Sequence, residues 1–355
     1  MKICLINTTP FWGGGEKWFV QNAIFLAKEG FTVYMLANKA GPLWSKLSRV
    51  EGIHLNHLEV SNLSFLNPKK KWALRSFFAR KEISTVIMNS SPEVKLCAPA
   101  AKKAAVRNII YRRGSAIAVK ASSINKALYG KTVNHIIANS EATKATFLKH
   151  LSHEVASDKV TIIPNGIEMP PQVSIPDTKD FTIGTLGRLV HQKGIDLALE
   201  TAQFLKQQGV SFKWLIAGAG DDKEMLQAQI EELELGDQVE LLGEVSNLNK
   251  FFGAIDLYVH TARWEGFGFA IAEAMAYEKA VVAFDISSNP ELVIHNETGV
   301  LVAMDHCEEM ATEIARLRDQ KNKLATLGEA GRQRIEEGFT LQKQQGKLLR
   351  FLQTI

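Results

Sequence analysis

The sequence predicts an α/β protein of two domains, each built on a parallel sheet, and three observations carry that prediction. Short apolar runs recur along the chain, separated by segments of helical periodicity, which is the alternation of strand and crossover helix. Glycine-rich loops follow some of these runs, as at Gly13-Gly14-Gly15 and from Gly187 to Gly194, where a strand hands over to a helix. The charge also divides: through Pro170 there are 24 Lys and Arg against 10 Asp and Glu, and beyond it 18 against 28. A basic half and an acidic half imply two modules with different partners.

The whole-chain properties fit. A length of 355 residues allows two ample cores, and 46% hydrophobic with 23% charged residues is ordinary for a soluble globular protein. The opening MKICLINTT has only a short apolar run, so no signal peptide is expected. No run of about 18 apolar residues occurs, so no membrane span is expected. Three cysteines, Cys4, Cys97 and Cys307, lie far apart, which points to a reducing compartment without a disulfide framework or zinc site.

In chain order, Lys2 to Asn7 reads as a buried strand, followed by the Gly13–Gly15 loop and a helix carrying Trp18, Phe19, Ala23 and Leu26. This is a Rossmann-like unit, but its glycines do not form G-x-G-x-x-G, so dinucleotide binding is weakly supported. Bare N–H groups at Gly14 and Gly15 suit a phosphate or a sugar; a tight turn needs the same glycines. Strands follow near Thr32–Leu36, Thr85–Met88, Asn108–Tyr111 and Val133–Ala138, a βαβ series. A basic helix begins near Pro68 and carries Trp72, Phe77 and Phe78. It suits an anionic membrane surface, and equally a helix whose aromatics are core. Arg112 and Arg113 end a strand and are candidates to clamp an acceptor phosphate. Asn139-Ser140-Glu141 reads as a strand end with a helix cap. Met169 to Asp180 has three prolines and no periodicity, which places a linker there.

The second half opens with a strand from Phe181 to Leu186, then Gly187-Arg188-Leu189-Val190-His191-Gln192-Lys193-Gly194 and a helix from Ile195. Arg188 and Lys193 are two cations at a strand's C-terminal end, able to stabilise a diphosphate leaving group, although isolated loop cations are usually solvated. Strands at Phe212–Ala217 and Gln238–Leu242, and then the segment Asp256 to His260, lead to the most informative stretch, Arg263 to Leu301. There Glu265 precedes Gly266-Phe267-Gly268-Phe269, and a second carboxylate, Glu273, follows eight residues after the first. The glycines allow close backbone approach, and a helix start offers free N–H groups to phosphate. With Glu273 placed about two turns into the helix, the stretch pairs phosphate donors with two acceptors for sugar or ribose hydroxyls. A capped amphipathic helix with an exposed Glu has the same spacing. Beyond Cys307 a charged helical region runs to the end, with a break near Gly338-Phe339. His54 and His57 lie on a strand-like run and cannot easily share a metal, His150 and His153 suit one helical face, and no Asp-x-Asp occurs.

The string E-G-F-G-x4-E, continued by A-M-A, V-V-A, N-P-E and T-G-V-L-V, resembles the donor-site signature of the retaining glycosyltransferases of the family 4 (group 1) type, which include bacterial lipopolysaccharide and surface-polysaccharide sugar transferases. The G-R-L…K-G string and the G-G-x-E of the first loop resemble the same family. The resemblance covers nearly the whole chain and is strongest from Ile183 to Val302. It implies the GT-B fold, two Rossmann-like domains facing a cleft, with a final helix crossing back to the first. The implied divisions are an acceptor-side domain over 1–170, a nucleotide-sugar donor domain over 171–337 and the returning helix over 338–355.

It further implies that Arg188 and Lys193 bind the diphosphate beside Glu265. Gly14, Gly15, Gly187, Gly243, Val245, Gly266, Phe267, Gly268, Phe269 and Glu273 would bind the donor, with the Gly243–Val245 loop near the base. Relatives often carry a His near Arg112 and Arg113, which here take an acceptor-side role. No metal or other cofactor is expected. The expected partners are a UDP- or GDP-linked sugar and a glycan or lipid-linked acceptor, with peripheral contact to an anionic membrane and no nucleic acid. The expected location is cytoplasmic, at the inner membrane face. Two departures stand out: Glu278-Lys279-Ala280 replaces the usual Gly-x-Pro, and Ser287-Ser288 replaces a Gly pair. The alternatives are a nucleotide-sugar epimerase on the same plan and a non-catalytic nucleotide-binding module.

Overall fold

The computed structural model describes residues 1–171 and 181–355. The proposed linker, Met169 to Asp180, therefore lies mostly outside the described residues. The chain forms two compact units, Met1–Gly166 with Gln342–Ile355, and Ile167–Leu341.

The first unit holds seven strands: β1 (Lys2–Ile6), β2 (Thr32–Ala37), β3 (Ile53–His57), β4 (Thr85–Met88), β5 (Asn108–Arg113), β6 (His135–Ala138) and β7 (Val160–Ile162). They pair in parallel in the order β3-β2-β1-β4-β5-β6-β7. The inner strands read as largely apolar runs because both faces of the sheet are covered there, whereas the edge strand β3 is IHLNH with His54 and His57 exposed. Along β1, Cys4 and Ile6 enter one core while Ile3 and Leu5 enter the other. Each such buried aliphatic contributes about 1.5–3 kcal/mol. The final helix, Leu341–Thr354, belongs to this unit from Gln342 onward, with Leu348 and Leu352 buried in the same core as Ile3, Leu5, Trp18 and Phe19.

The second unit holds β8 (Thr182–Leu186), β9 (Lys213–Ala217), β10 (Val239–Gly243), β11 (Leu257–His260), β12 (Ala280–Phe284) and β13 (Val300–Val302), all parallel, in the order β10-β9-β8-β11-β12-β13. Val282 and Phe284 face one core, Val281 and Ala283 the other. Ile167 joins this unit by pairing with the chain near Thr340, through Ile167 N–H to Phe339 O at 2.9 Å and Leu341 N–H to Ile167 O at 2.8 Å. Each sheet reverses its strand order once, between β1 and β4 and between β8 and β11. Loops diverge at such points and leave a crevice at the carboxyl ends of the strands.

Two expectations change. His150 and His153 do not share a helical face, because the helix Glu141–Leu148 ends before them and they lie in turns. Glu273 stands just over one turn, not two, into its helix, which starts at Phe269. The Ser140 cap is present, its Oγ accepting from Thr143 N–H at 3.0 Å.

Both departures from the family string fall on left-handed backbone, with φ of 59° at Glu278 and 46° at Ser287. Glycine is the residue that adopts this region without a Cβ penalty. Glu278→Gly is therefore expected to stabilise the second unit by about 1 kcal/mol, offset in part by loss of the Arg332 contact at 3.5 Å. A urea midpoint that falls instead would show that the contact outweighs the strain.

Candidate functional site

The site in the second unit is built where β8 and β11 part. Three loops approach there backbone to backbone. A Cβ on Gly218 would lie 1.8 Å from Gly187 O, one on Gly220 2.2 Å from Leu189 O, and one on Gly194 2.1 Å from Thr261 O. These approaches are locked by Gly187 N–H to Ala217 O and Leu189 N–H to Ala219 O, both 2.9 Å. The 187–194 loop is tied to the segment after β11 by Arg263 N–H to Gln192 O at 2.9 Å and by Gln192 Nε2 to Trp264 O at 3.1 Å. Arg263 also makes two hydrogen bonds to Asp196, at 2.8 and 2.5 Å.

This bracing brings together two predicted residues that are far apart in sequence. Lys193 Nζ donates to Glu265 Oε1 in a largely buried ion pair. The same Oε1 lies 3.0 Å from His260 Nε2, and His260 Nδ1 lies 3.2 Å from the Tyr258 hydroxyl, which also reaches Leu186 O at 3.2 Å. Glu265, His260 and Tyr258 are 6%, 2% and 0% exposed, so the Glu265 charge acts in a poorly solvated place. Burial alone would raise the Glu265 pKa; the Lys193 charge and the His260 hydrogen bond override it and hold the carboxyl down to about 2. Burial pushes the His260 pKa down, against the pull of Glu265, so the ring rests neutral. Arg188 is exposed, with Nη2 3.3 Å from Gln192 Oε1.

Gly268 caps the helix Phe269–Ala276 at φ 89°, ψ 54° and accepts from Ala272 N–H at 3.0 Å. Phe267 is buried against Phe269 and Phe339, so Gly266 to Phe269 is held as a firm turn ahead of the helix N–H groups. Glu273 is half-buried on that helix. Gly243, at φ 71°, accepts from Gly218 N–H at 2.7 Å, and Val245 packs nearby on the core.

Sequence reasoning missed His260, Tyr258, Ser288 and Asn289. Ser288 Oγ donates to Glu265 O at 3.4 Å. Asn289 is fully buried, donating to Phe284 O at 2.9 Å, while its Oδ1 has no hydrogen-bond partner among the described residues and faces the Gly268 turn. The Gly218-x-Gly220 string, weak as a motif, owes its glycines to the backbone approaches above.

The first unit has its own polar cluster where β1 and β4 part. Gly14 and Gly15 open the helix Gly14–Lys28, and a Cβ on Gly15 would press on Asn89 at 3.2 Å. Glu16 Oε1 accepts from Asn7 at 3.1 Å. Glu93, fully buried, accepts from Thr8 N–H and Oγ1 and from the N–H groups of Asn89 and Ser90 at 2.7–3.0 Å. Arg112 is 3% exposed, donates to Asn165 Oδ1 at 2.6 Å and lies over Trp18 at 5.3 Å. Burial brings its pKa down to about 10, so it stays charged at neutral pH. Arg113 donates to the Tyr111 hydroxyl and to Ile117 O. Among the described residues, no group of three or more His, Cys, Asp and Glu is placed to hold a metal.

Two family models match in succession, Glycosyltransferase Family 4 over residues 12–169 and Glycosyl transferases group 1 over residues 168–334. The lipopolysaccharide core biosynthesis mannosyltransferase LpsB of Rhizobium meliloti is 31% identical over 169 residues, 46% of this chain and 48% of that protein. The capsular polysaccharide biosynthesis glycosyltransferase CapM of Staphylococcus aureus is 27% identical over 46% of this chain and 43% of its own length. The chain thus spans about half the length of these curated relatives. Among solved structures, Anabaena Alr3699/HepE in complex with UDP aligns with a TM-score of 0.87 at 21% identity, covering 100% of both chains. A glycosyltransferase from Rickettsia africae aligns at 0.86 with 19% identity, covering 99% of this chain and 97% of the other. At these identities the likeness is one of fold, that of the GT-B glycosyltransferases.

Proposed function

Since the chain belongs to the family 4, group 1 type of glycosyltransferases, we propose that it moves a hexose from a UDP- or GDP-linked donor to a glycan or lipid-linked acceptor, with retention and without a metal, in cell-surface polysaccharide or lipopolysaccharide synthesis. The observation that carries this reading is the Lys193–Glu265 pair at the parting of β8 and β11, beside a glycine turn that opens a helix. Naming LpsB and CapM as relatives supports the biosynthetic setting.

In this reading Lys193 and Arg188 face the diphosphate, and the N–H groups at Phe267–Phe269 add to them as charge grows on the leaving group. Glu265 accepts hydroxyl hydrogen bonds from the sugar and lends negative charge to an oxocarbenium-like centre. Glu273 accepts from the ribose hydroxyls. Arg112 and Arg113 are assigned to the acceptor. An epimerase or a non-catalytic module draws no support from the family match.

The direct test is thermal stabilisation by UDP, GDP, ADP and NAD without added metal. A ligand present at 100 times its Kd adds roughly 2.7 kcal/mol. One nucleoside diphosphate is expected to stabilise, and stabilisation by NAD alone would overturn the transferase reading. Glu273→Ala is expected to weaken binding of the free nucleotide by about tenfold, as loss of hydrogen bonds to a charged acceptor does. Equal affinity for the variant would remove the ribose role.

The membrane contact rests on a short span of the first unit. Leu63, Leu66 and Trp72 are 69%, 64% and 70% exposed around Lys69, Lys70 and Lys71, while Leu74 and Phe78 of the same helix are core. Apolar side chains among lysines suit the interface of an anionic bilayer. Among the described residues no helix is long and apolar enough to cross a membrane. Trp72→Ser with Leu66→Ser is expected to cut binding to phosphatidylglycerol vesicles several-fold in co-sedimentation. Unchanged binding would exclude this span.

A further inference from the structure

The hydrogen-bonded line Lys193–Glu265–His260–Tyr258–Leu186 O has more acceptors than protons. Glu265 is ionised and accepts at Oε1 from both Lys193 and His260. A neutral His260 carries one ring proton, which the carboxylate claims at Nε2. His260 Nδ1 then accepts from the Tyr258 hydroxyl at 3.2 Å. That hydroxyl has a single proton and a second acceptor, Leu186 O, also at 3.2 Å. A place for one further proton is therefore built into the line. If Nδ1 is protonated, it donates to the Tyr258 oxygen, and the Tyr258 proton turns to Leu186 O. All contacts remain satisfied and no side chain has to move.

We propose that Tyr258 and His260 are positioning residues that take up one proton from solvent when an anionic group draws Lys193 away from Glu265, so that an imidazolium replaces the ammonium as the carboxylate's counter-charge. The inference rests on the reading above in taking that anionic group to be the diphosphate of a nucleotide sugar.

The physical need is clear. With Lys193 on a phosphate, Glu265 would remain an ionised carboxylate at 6% exposure with only neutral donors, a costly state. The groups facing the ring are few among the described residues. They are Glu265 on the segment after β11, Lys193 on the loop after β8, and Tyr258 on the ring's own strand, with Glu273 of the Phe269–Ala276 helix acting on Tyr258. Of these Lys193 is the one cation, and it opposes protonation of the ring; its departure therefore favours proton uptake. The carboxylate then stays ionised and fixed where the sugar is held, rather than swinging after the ammonium.

The coupling can be read without any ligand. Nitrogen-detected NMR of the His260 ring, assigned by difference from His260→Gln, is recorded from pH 5 to 8 in the full chain and in Lys193→Met and Lys193→Gln. The midpoint is expected to rise by about one pH unit or more in both variants. The same midpoint in wild type and in a folded variant would overturn the proposal. The second measurement is calorimetric binding of UDP-glucose and GDP-mannose, whose pyrophosphate diesters do not titrate in this range, in buffers of different ionisation heat. A bound probe is expected to bring up to one proton near pH 7 in wild type and none in His260→Gln. Binding without proton uptake would overturn the relay. A midpoint that depends on Lys193 in a chain binding neither probe would support the relay and count against the donor reading alone.

Discussion

Replacing Lys193 with alanine is expected to lower the rate of sugar transfer by on the order of 10²–10³ at saturating donor, the loss seen when one fixed donor to a developing oxyanion is removed. In the proposed reading the braced 187–194 loop fixes where the Lys193 side chain starts, and the ammonium has only to exchange Glu265 for the leaving diphosphate. The same variant should show an acid-side signature. The Glu265 carboxyl, at about 2 against its ordinary 4.5, contributes stability that is complete above the ordinary value and lost as pH falls through the lower one. Without Lys193 only His260 is left to hold the carboxyl down, so the folded value rises part of the way and the variant should lose that stability at a somewhat higher pH than wild type. Steady-state rates with the stabilising nucleotide's sugar test the first effect, and urea midpoints between pH 3 and 6 test the second. A turnover within threefold of wild type would remove Lys193 from the chemistry.

The second large effect is structural. Gly218→Ala is expected to destabilise the second unit by on the order of 3 kcal/mol or more, because its Cβ would sit 1.8 Å from Gly187 O and its φ of 149° resists any side chain. The carbonyl it strikes belongs to the loop that carries Arg188 and Lys193, so surviving protein should also bind nucleotide poorly. Gly209→Ala is the control. It has φ 71° and nothing within 4 Å of a Cβ, so only backbone strain of about 1–2 kcal/mol applies. Equal urea midpoints for the two variants would show that the loop yields to the methyl group.

The fold was legible because its inner strands are buried on both faces and so appear as apolar runs such as Ala280–Phe284, while the half-exposed edge strands β3 and β10 carry polar residues within them. Glu265 and Lys193 were legible as members of long strings, and the structure shows their contact. His260 was hidden for a physical reason. At the end of β11 it follows Leu-Tyr-Val and reads as one more buried position, and only the third dimension sets its Nε2 against Glu265. Asn289 lay inside a recognised N-P-E string, but its unpartnered Oδ1 depends on where the Gly268 turn passes. The helical reading of His150 and His153 failed because periodicity does not mark where Glu141–Leu148 stops. Glu278 and Ser287 were noted as departures, yet their left-handed backbone gives the departure an energetic meaning.

The three cysteines are buried, Cys4 and Cys97 in a core of the first unit and Cys307 in one of the second, and burial pushes all three thiols up, Cys307 to about 11. A thiolate is the reactive form, so each sulfur is doubly protected, by access and by proton. Alkylation of the native chain therefore has to wait for the surrounding unit to open. Because the sulfurs are divided between the units, the order in which their labelled peptides appear times the opening of each unit separately, without an added probe.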